Sequence, residues 1–210
     1  MSESAEINPR CEGFWDHFWA TYTDSKWEPH TRAQLQHFLK PGSLFVDIGA
    51  WIGPVVLWAL ELGATVIAVE PDPMAVRELK RRVAGKGEVE IWEGACAPFN
   101  GEICLTPYGF LGDSMTRVGP GVGVSCWTLE HILNGRIPAL VKVDVEGYEA
   151  ELLPSVGPFL GGLGVPMLVS WHSSLPPKGI WFDGYASRIS LAQTTFVSEF
   201  VVSGVKKGER

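Results

Sequence analysis

The sequence predicts an α/β fold, in which a mostly parallel sheet carries helices on both faces. Short apolar runs alternate along the chain with segments of helical periodicity, and strand–helix–strand alternation of this kind produces parallel sheets. Glycine or acidic residues bound these runs, as is typical of buried parallel strands. A chain of 210 residues, of which 46% are hydrophobic, is long enough to form one such domain with its own core.

The predicted strands are short segments of three to seven residues, rich in Val, Ile, Leu and Phe. One of them, residues 89–92, alternates polar and apolar side chains, which favours a position nearer an edge of the sheet. The predicted strands are residues 44–46, 66–69, 89–92, 140–143, 167–169 and 196–202.

Helix signals fall between these strands. Pro54 occupies a first helical position, where proline is tolerated. Asp72 is a capping residue for a helix that begins at Pro73 and has one apolar face. A third, short helix is predicted over residues 148–153, with Pro154 ending it.

Two regions depart from the simple alternation. Residues 12–39 carry aromatic side chains at helical spacing and then a second helix over residues 31–39, so we expect an N-terminal helical segment whose aromatic stripe packs against the sheet. Residues 101–126 are rich in glycine and predict an irregular or hairpin insertion. The expected organisation is a single domain over residues 1–210, with a helical segment at 1–40, a catalytic α/β core at 41–203 and a tail at 204–210.

Composition argues against several classes of protein. A net charge of −7 leaves no broad basic surface for nucleic acid, so no nucleic-acid partner is expected. The longest apolar run is too short to cross a bilayer, and the N-terminus lacks the features of a signal peptide, so the sequence predicts no membrane association. The four cysteines have no zinc spacing, and they read as reduced thiols of a cytoplasmic protein.

The segment 46–53 carries the first functional signal, because it runs from a strand into a helix through a glycine turn. Gly49 and Gly53 allow a tight turn whose backbone N–H groups face a ligand. The chain lacks the Gly-x-Gly-x-x-Gly pattern of dinucleotide folds and places Asp47 at the end of the strand instead. A carboxylate there would repel a pyrophosphate but accepts hydrogen bonds from an ammonium group. The ligand that fits is S-adenosylmethionine.

The second signal is Glu70, which ends the next strand within the segment Val-Glu-Pro-Asp-Pro at 69–73. A carboxylate at this edge of a sheet accepts hydrogen bonds from the vicinal hydroxyls of a ribose. Together with the glycine turn, it favours an adenosine-type cofactor. The predicted cofactor-binding residues are Asp47, Gly49, Trp51, Gly53, Glu70, Pro71 and Asp72.

With a third motif, Val-Lys-Val-Asp-Val-Glu-Gly-Tyr-Glu at 141–149, the sequence resembles the FkbM family of class I S-adenosylmethionine-dependent methyltransferases. The resemblance extends over roughly residues 27–172. It implies a seven-stranded Rossmann-like sheet and methyl transfer, usually to oxygen, on a small molecule or glycan. Trp51 departs from the pattern, since many members carry a smaller polar residue there, and this predicts an altered pocket for the cofactor.

Three residues at strand ends are the predicted catalytic group. Asp144 and Glu146 follow the fourth of the strands above, and Asp144 is expected near the sulfonium or the acceptor hydroxyl. His172 follows the next strand, and the resemblance carries onto it a histidine that many members have at this strand end. A neutral imidazole there can remove a proton from a hydroxyl. An Asp-x-Glu pair can also hold a divalent ion, but without a further nearby ligand in the sequence pattern we predict no metal.

Three alternatives stay open at this point. A relative that binds S-adenosylmethionine without transferring a methyl group is favoured by Trp51 and opposed by the three strand-end acids. An NAD-dependent oxidoreductase is opposed by the absent dinucleotide motif. A nucleic-acid methyltransferase is opposed by the net charge. The identity of the acceptor and the oligomeric state leave no mark in the sequence.

Overall fold

The computed structural model describes residues 9–22, 27–172, 187–193 and 198–203. Its helices are Pro9–Tyr22 (α1), Pro29–Phe38 (α2), Pro54–Glu61 (α3), Pro73–Val83 (α4), Leu129–Leu133 (α5) and Glu149–Leu163 (α6). Its strands are Leu44–Ile48 (β1), Thr65–Val69 (β2), Val89–Trp92 (β3), Ala95–Cys96 (β4), Gly101–Thr106 (β5), Arg117–Val118 (β6), Val122–Trp127 (β7), Leu140–Val143 (β8), Met167–Trp171 (β9), Ser187–Gln193 (β10) and Ser198–Ser203 (β11).

The main sheet has seven strands in the order β10-β11-β9-β8-β1-β2-β3. Strands β3, β2, β1, β8 and β9 pair in parallel, and β11 pairs antiparallel with both β9 and β10. The predicted α/β class, the mostly parallel seven-stranded sheet and the edge position of β3 are therefore confirmed. From β1 the chain continues to β2 and β3 on one side of β1, and it later returns as β8 on the other side. A crevice therefore opens between β1 and β8 at the carboxyl edge of the sheet, which is where open α/β sheets bind ligands.

The strands are buried on both faces, which explains their nearly continuous apolar sequences. Alternate side chains of each strand enter opposite layers of the core. The layer that includes α3 and α4 contains Phe45, Val66, Ala68, Leu140 and Leu168. The layer that includes α5 and α6 contains Val46, Ile48, Ile67, Val69, Val141, Val143, Met167 and Val169.

Two helix starts that flank the crevice are as predicted. Helix α3 begins at Pro54, directly after the glycine turn. Helix α4 begins at Pro73, and the side chain of Asp72 accepts hydrogen bonds from the backbone N–H groups of Met74 and Ala75, at 2.8 and 3.3 Å. Both helices therefore start at the positions that the prolines and the capping side chain predict.

The predicted end of α6 at Pro154 is wrong, because the helix continues to Leu163 with Pro154 and Pro158 inside it. Both prolines are exposed, whereas Leu153, Val156 and Leu160 on the other side of the helix are buried in the core. Burial of that face outweighs the cost of a missing N–H and a crowded carbonyl in the helix interior.

The insertion predicted over residues 101–126 folds as a hairpin within a second, four-stranded sheet of order β4-β7-β5-β6. Strand β5 pairs antiparallel with β7, and the short β6 lies on the outer side of β5. Strand β10 was not predicted, and the last predicted strand is described over Ser198–Ser203. The predicted tail at 204–210, together with residues 196 and 197, lies outside the described residues.

The N-terminal helix α1 lies against the insertion and the glycine turn. The indole N–H of Trp15 donates to the carbonyl of Gly112 at 2.9 Å, and Cys11 bonds the carbonyl of Leu111. The predicted packing role of the aromatic stripe holds for Trp15, which is buried, whereas Phe14 and Phe18 line the ligand cavity described below. None of the helices in the described ranges combines the length and apolarity needed to cross a bilayer.

Candidate functional site

A cavity of about 430 Å³ opens at the carboxyl edge of the main sheet. Its volume lies within the range typical of pockets for small ligands and cofactors. Its walls come from the ends of β1, β2, β8 and β9, from α1, and from the insertion, which contributes Leu105, Ser114, Thr116, Arg117 and Val118. The insertion therefore covers a site that the main sheet forms.

The glycine turn after β1 forms one wall of this cavity. Gly49 has φ +86°, and a Cβ atom at this position would lie only 1.8 Å from the carbonyl oxygen of Asp144. Trp51 also adopts a left-handed conformation, with φ +47°. The turn needs glycine at 49 for two independent reasons, its backbone conformation and the close approach of the chain after β8.

Asp47 lies at the floor of the cavity with no exposed surface. Among the residues that the structure describes, neither of its carboxylate oxygens has a hydrogen-bond partner, and Lys142 Nζ lies 4.0 Å from Oδ1. Burial raises the pKa of Asp47 to about 7, with Lys142 lowering it and Asp144 and Glu28 raising it further. A buried carboxylate without partners at a cavity floor is suited to receive a ligand that carries N–H donors or a positive charge.

Glu70 lines the same wall at the end of β2. Its Oε2 accepts the backbone N–H of Trp51 at 2.7 Å, and its Oε1 accepts the backbone N–H of Asp72 at 2.8 Å. Burial raises the pKa of Glu70 to about 8, although both hydrogen bonds lower it. Each oxygen retains acceptor capacity, so the residue can hold the glycine turn and accept ligand hydroxyls at the same time.

The other predicted cofactor-binding residues fall into two groups. Trp51 and Pro71 line the cavity, whereas Gly53 and Asp72 do not. A Cβ atom on Gly53 would lie 2.5 Å from Leu79, so this glycine allows α3 and α4 to pack closely. Asp72 caps α4 with one oxygen, and with the other it accepts the backbone N–H of Gly112 at 2.6 Å and the hydroxyl of Thr116 at 3.0 Å. Asp72 therefore links the start of α4 to the insertion.

Asp144, Glu146 and His172 come together at the far end of the cavity and all line it. His172 Nε2 lies 3.7 Å from Asp144 Oδ1 and 3.6 Å from Glu146 Oε2. The Oδ1 atom of Asp144 is buried and has no hydrogen-bond partner within the described ranges. The three residues that the sequence analysis selected therefore form one cluster. Lys142 connects it to the floor at Asp47, since its Nζ lies 2.7 Å from Asp144 Oδ2 and 4.0 Å from Asp47 Oδ1.

The electrostatics of this cluster favour a charged histidine. Burial lowers the pKa of His172, but the hydrogen bond to Glu149 and the charges of Asp144 and Glu146 outweigh it and raise the pKa to about 9. Burial raises the pKa of Glu146 to about 7, against the effect of His172. Burial also disfavours ionised Asp144, yet Lys142 and His172 hold the pKa of Asp144 below its ordinary value.

Lys142 and Glu149 belong to this site, although the sequence analysis assigned neither of them a function. Lys142 is 2% exposed and donates to Asp144 Oδ2 at 2.7 Å. Glu149, at the start of α6, is 1% exposed and bonds His172 Nδ1 at 2.9 Å. Both lie within the motif at 141–149, and a charged residue in the middle of a buried strand was the available signal for Lys142.

Two further carboxylates line the cavity, Glu28 before α2 and Glu199 in β11. Burial raises the pKa of each, and Lys142 lowers both. Within the described part of the chain, Glu28 Oε2 is buried without a hydrogen-bond partner. This end of the cavity is therefore rich in hydrogen-bond acceptors.

One group of side chains has separations that a metal ion would accept: Asp144, Glu149 and His172 each offer a ligand atom within 4.8 Å of the others. However, the Glu149 oxygens already accept backbone N–H groups at 145, 147 and 172 as well as His172 Nδ1. A carboxylate saturated by donors in this way is a hydrogen-bonding partner of the histidine, and we assign no metal ligands here.

Comparison with protein families gives one match along the chain. The family model described as the methyltransferase FkbM domain matches residues 47–165. This range begins at the floor carboxylate Asp47 and extends beyond the end of α6. No curated protein sequence matches the chain significantly.

Solved structures show the same fold at low sequence identity. A methyltransferase FkbM from Methylobacillus flagellatus KT aligns with 78% of this chain at 13% identity and a TM-score of 0.55, and this chain covers 44% of its length. An rRNA methylase from Streptococcus thermophilus aligns with 84% of this chain and 95% of its own, at 10% identity and a TM-score of 0.55. The chain therefore spans less than half of the first of these proteins and nearly all of the second.

Proposed function

Because the chain belongs to the FkbM family of methyltransferases, whose methyl donor is S-adenosylmethionine, we propose that it methylates a hydroxyl group on a small molecule or glycan. The observation that carries this proposal is the buried carboxylate of Asp47 beside the glycine turn, whose oxygens accept no hydrogen bond from any residue that the structure describes. It matches the ammonium group of the cofactor's methionine part. The same cavity also reaches the cluster at Asp144, where an acceptor can bind.

In this proposal, the cofactor lies along the wall formed by β1 and β2. Asp47 accepts the ammonium group, the chain at Gly49 and Trp51 follows the methionine part, and Glu70 accepts the ribose hydroxyls, with Pro71 beside them. Gly53 and Asp72 act indirectly, since Gly53 permits close packing of α3 and α4 and Asp72 fixes the insertion. These assignments rest on burial, free acceptor capacity and position in the cavity.

S-adenosylmethionine supplies an electrophilic methyl group on a positively charged sulfur. Methyl transfer is a direct displacement, so the protein contributes chiefly by aligning the acceptor oxygen and by removing its proton. We assign proton removal to the neutral form of His172, which lines the cavity and whose Nε2 lies 3.7 Å from Asp144 and 3.6 Å from Glu146. The pKa of His172 is raised to about 9 in the free protein, so this neutral form predominates only above that pH, and the positive charge of a bound sulfonium would lower the pKa and favour it. Asp144, bonded to Lys142, stays ionised and stabilises the imidazolium that forms.

The charge of the cavity around Asp144, where we propose that the methyl acceptor binds, favours a small molecule with many hydrogen-bond donors over a nucleic acid. Carboxylates of Glu28, Asp144, Glu146 and Glu199 line it, and they would repel a phosphate backbone. Among the described residues, buried carboxylate oxygens of Glu28 and Asp144 have no hydrogen-bond partner, and they suit a ligand with several O–H or N–H groups. A polyhydroxylated acceptor meets both conditions.

The proposal is tested by methyl transfer from radiolabelled S-adenosylmethionine to a panel of sugars, polyols and hydroxylated aglycones, with RNA and DNA in parallel. We expect transfer to a hydroxyl acceptor. With that acceptor, His172→Asn should lower turnover by a factor of about 10²–10⁴, as loss of a general base does. His131→Asn, the same change at an exposed histidine of α5, should leave turnover unchanged.

Each of the other possible outcomes contradicts one part of the proposal. Transfer to RNA or DNA alone would overturn the acceptor class. Full turnover of His172→Asn would overturn its role as the base. Binding of S-adenosylhomocysteine without transfer to any acceptor class would favour a relative that binds the cofactor without catalysis.

A further inference from the structure

Glu149 makes an unusual number of hydrogen bonds for one buried carboxylate. Its Oε1 accepts the backbone N–H of Val145 at 3.1 Å and contacts His172 Nδ1 at 2.9 Å. The backbone N–H of Gly147 reaches both oxygens, at 3.2 and 3.1 Å, and the backbone N–H of His172 reaches Oε2 at 3.3 Å. The side chain is 1% exposed and does not line the cavity.

These contacts join two strand ends of the site. Val145 and Gly147 lie in the chain that leaves β8, and His172 directly follows β9. Between them lies Glu146, which has φ +50° and faces His172 Nε2 at 3.6 Å. The Glu149 carboxylate therefore fixes the loop that presents Glu146 and the histidine that Glu146 faces.

The same contacts determine the proton arrangement of the imidazole. Backbone N–H groups only donate, so a Glu149 oxygen that accepts them also acts as the acceptor toward His172 Nδ1. In the neutral ring the proton then stays on Nδ1, and the lone pair stays on Nε2, the atom closest to Asp144 and Glu146. A general base needs this lone pair to take the proton from the hydroxyl of the methyl acceptor.

We propose that Glu149 is a positioning residue that holds His172 in the Nδ1–H form and orients Nε2 toward the acceptor. The proposal rests on the proposed function of His172 and extends it to a residue without access to the cavity. The charged groups that act on His172 are Asp144, Glu146 and Glu149, together with Glu199 across the site. Lys142 is bonded to Asp144. Of these carboxylates, Glu149 is the one that contacts Nδ1.

The test is a pH titration of the imidazole ¹⁵N resonances, with His172 assigned by comparison with His172→Gln. In the unmodified protein we expect the neutral ring of His172 to be in the Nδ1–H form. In Glu149→Gln its pKa should fall by about one pH unit or more, because a charge-assisted hydrogen bond becomes a neutral one, and the Nε2–H form should appear. Glu151→Gln, an exposed acid two positions along α6, should leave both properties unchanged.

The unmodified protein alone can overturn the proposal: a neutral His172 in the Nε2–H form contradicts it even if Glu149→Gln does not fold. Identical titrations and tautomers in the unmodified protein and a folded Glu149→Gln would overturn it as well. These readouts need neither cofactor nor acceptor. If the spectra behave as expected but methyl transfer to hydroxyls fails, the positioning role stands and the proposed function falls.

Once an acceptor is known, kinetics separate positioning from folding. Glu149→Gln should lower kcat by about tenfold or more while the affinity for S-adenosylhomocysteine stays within about threefold, since Glu149 does not line the cavity. An equal loss of kcat and of cofactor affinity would indicate general damage to the site and contradict a specific role toward His172.

Discussion

The carbonyl oxygen of Asp144 occupies the space in which a side chain at Gly49 would begin, 1.8 Å from the position of a Cβ atom. The glycine turn after β1 and the chain leaving β8 therefore touch through their backbones. This contact brings together the cavity wall at the ends of β1 and β2, where we propose that the cofactor binds, and the cluster of Asp144, Glu146 and His172, which we propose to be catalytic. The contact lies at the switch between β1 and β8, where the fold favours ligand binding.

Gly49→Ala should damage the site more than a methyl group ordinarily would. The backbone carbonyl of Asp144 cannot move without disturbing β8, and φ of +86° is strained for alanine. We expect destabilisation of about 1–3 kcal/mol or more and loss of S-adenosylhomocysteine binding, as measured by denaturant unfolding and calorimetry. Gly13→Ala, in α1 with open space around it, is the control and should preserve binding. Unimpaired binding by Gly49→Ala would contradict the close contact.

Cofactor affinity should rise with pH through about 7, the raised pKa of the buried Asp47. Below that pH the carboxyl is protonated and cannot pair with an ammonium group, so the affinity for S-adenosylhomocysteine should fall by up to about tenfold per pH unit. The stability of the free protein has the opposite dependence. Because folding raises the pKa of Asp47, its contribution to stability is present below its unfolded pKa and is lost as the pH rises through about 7.

Calorimetry at a series of pH values and thermal unfolding of the free protein measure the two trends. Asp47→Asn should remove the rise in affinity around pH 7, because an amide does not titrate there. A rise of the same size in Asp47→Asn would assign the titration to another group, and Glu70, with its pKa raised to about 8, would be the next candidate.

Trp51→Phe should loosen the insertion without unfolding the sheet. The indole N–H groups of Trp51 and Trp15 both donate to the carbonyl of Gly112, at 3.1 and 2.9 Å. Phenylalanine keeps the ring packing but loses one donor, at a cost of about 1 kcal/mol. Hydrogen exchange of the backbone amides in residues 109–116 should become faster. The control is Trp92→Phe, which loses an indole hydrogen bond to the exposed Glu90 and should leave the exchange rates of these amides unchanged. Equal exchange in both variants would contradict the link.

Pro154→Ala should stabilise the protein. Alanine restores a backbone N–H in the interior of α6, and Pro154 is exposed, so no core packing is lost. The expected gain is about 1–3 kcal/mol of unfolding free energy, measured with denaturant. Pro73→Ala is the control and should not stabilise the protein. Proline at the first position of α4 removes no helical hydrogen bond, and it restricts the unfolded chain. A loss of stability in Pro154→Ala would mean that the helix relies on the proline for its shape.

Local signals in the sequence predicted much of this fold. The starts of α3 and α4 at Pro54 and Pro73 follow from chemistry within a few residues, as do the buried parallel strands. The end of α6 did not, because the local penalty at Pro154 is overcome by burial of the opposite face of the helix. Strand β10, Ser187–Gln193, was missed because its sequence lacks a clear apolar run or a strict alternation.

The site was predictable to the extent that strand ends define it. Asp47 is the second-last residue of β1, and Glu70, Asp144 and His172 directly follow β2, β8 and β9. These four strands run in parallel, so the residues had to meet at one edge of the sheet. Glu149 was missed because its proposed role depends on the backbone paths after β8 and β9. The first brings two N–H groups to its carboxylate, and the second brings a third N–H group and the imidazole. Spacing along the chain does not reveal such a convergence.

Calorimetric titration with S-adenosylhomocysteine of the unmodified protein, Asp47→Asn and Asp16→Asn tests the central claim most directly. Asp16 is an exposed acid of α1 and provides the same chemical change away from the cavity. We expect single-site binding to the unmodified protein and to Asp16→Asn, and weakening by about 30-fold or more in Asp47→Asn, as loss of a buried charge pair produces. Undiminished binding in Asp47→Asn, or no binding to the unmodified protein, would contradict the assignment of this cavity as the cofactor site.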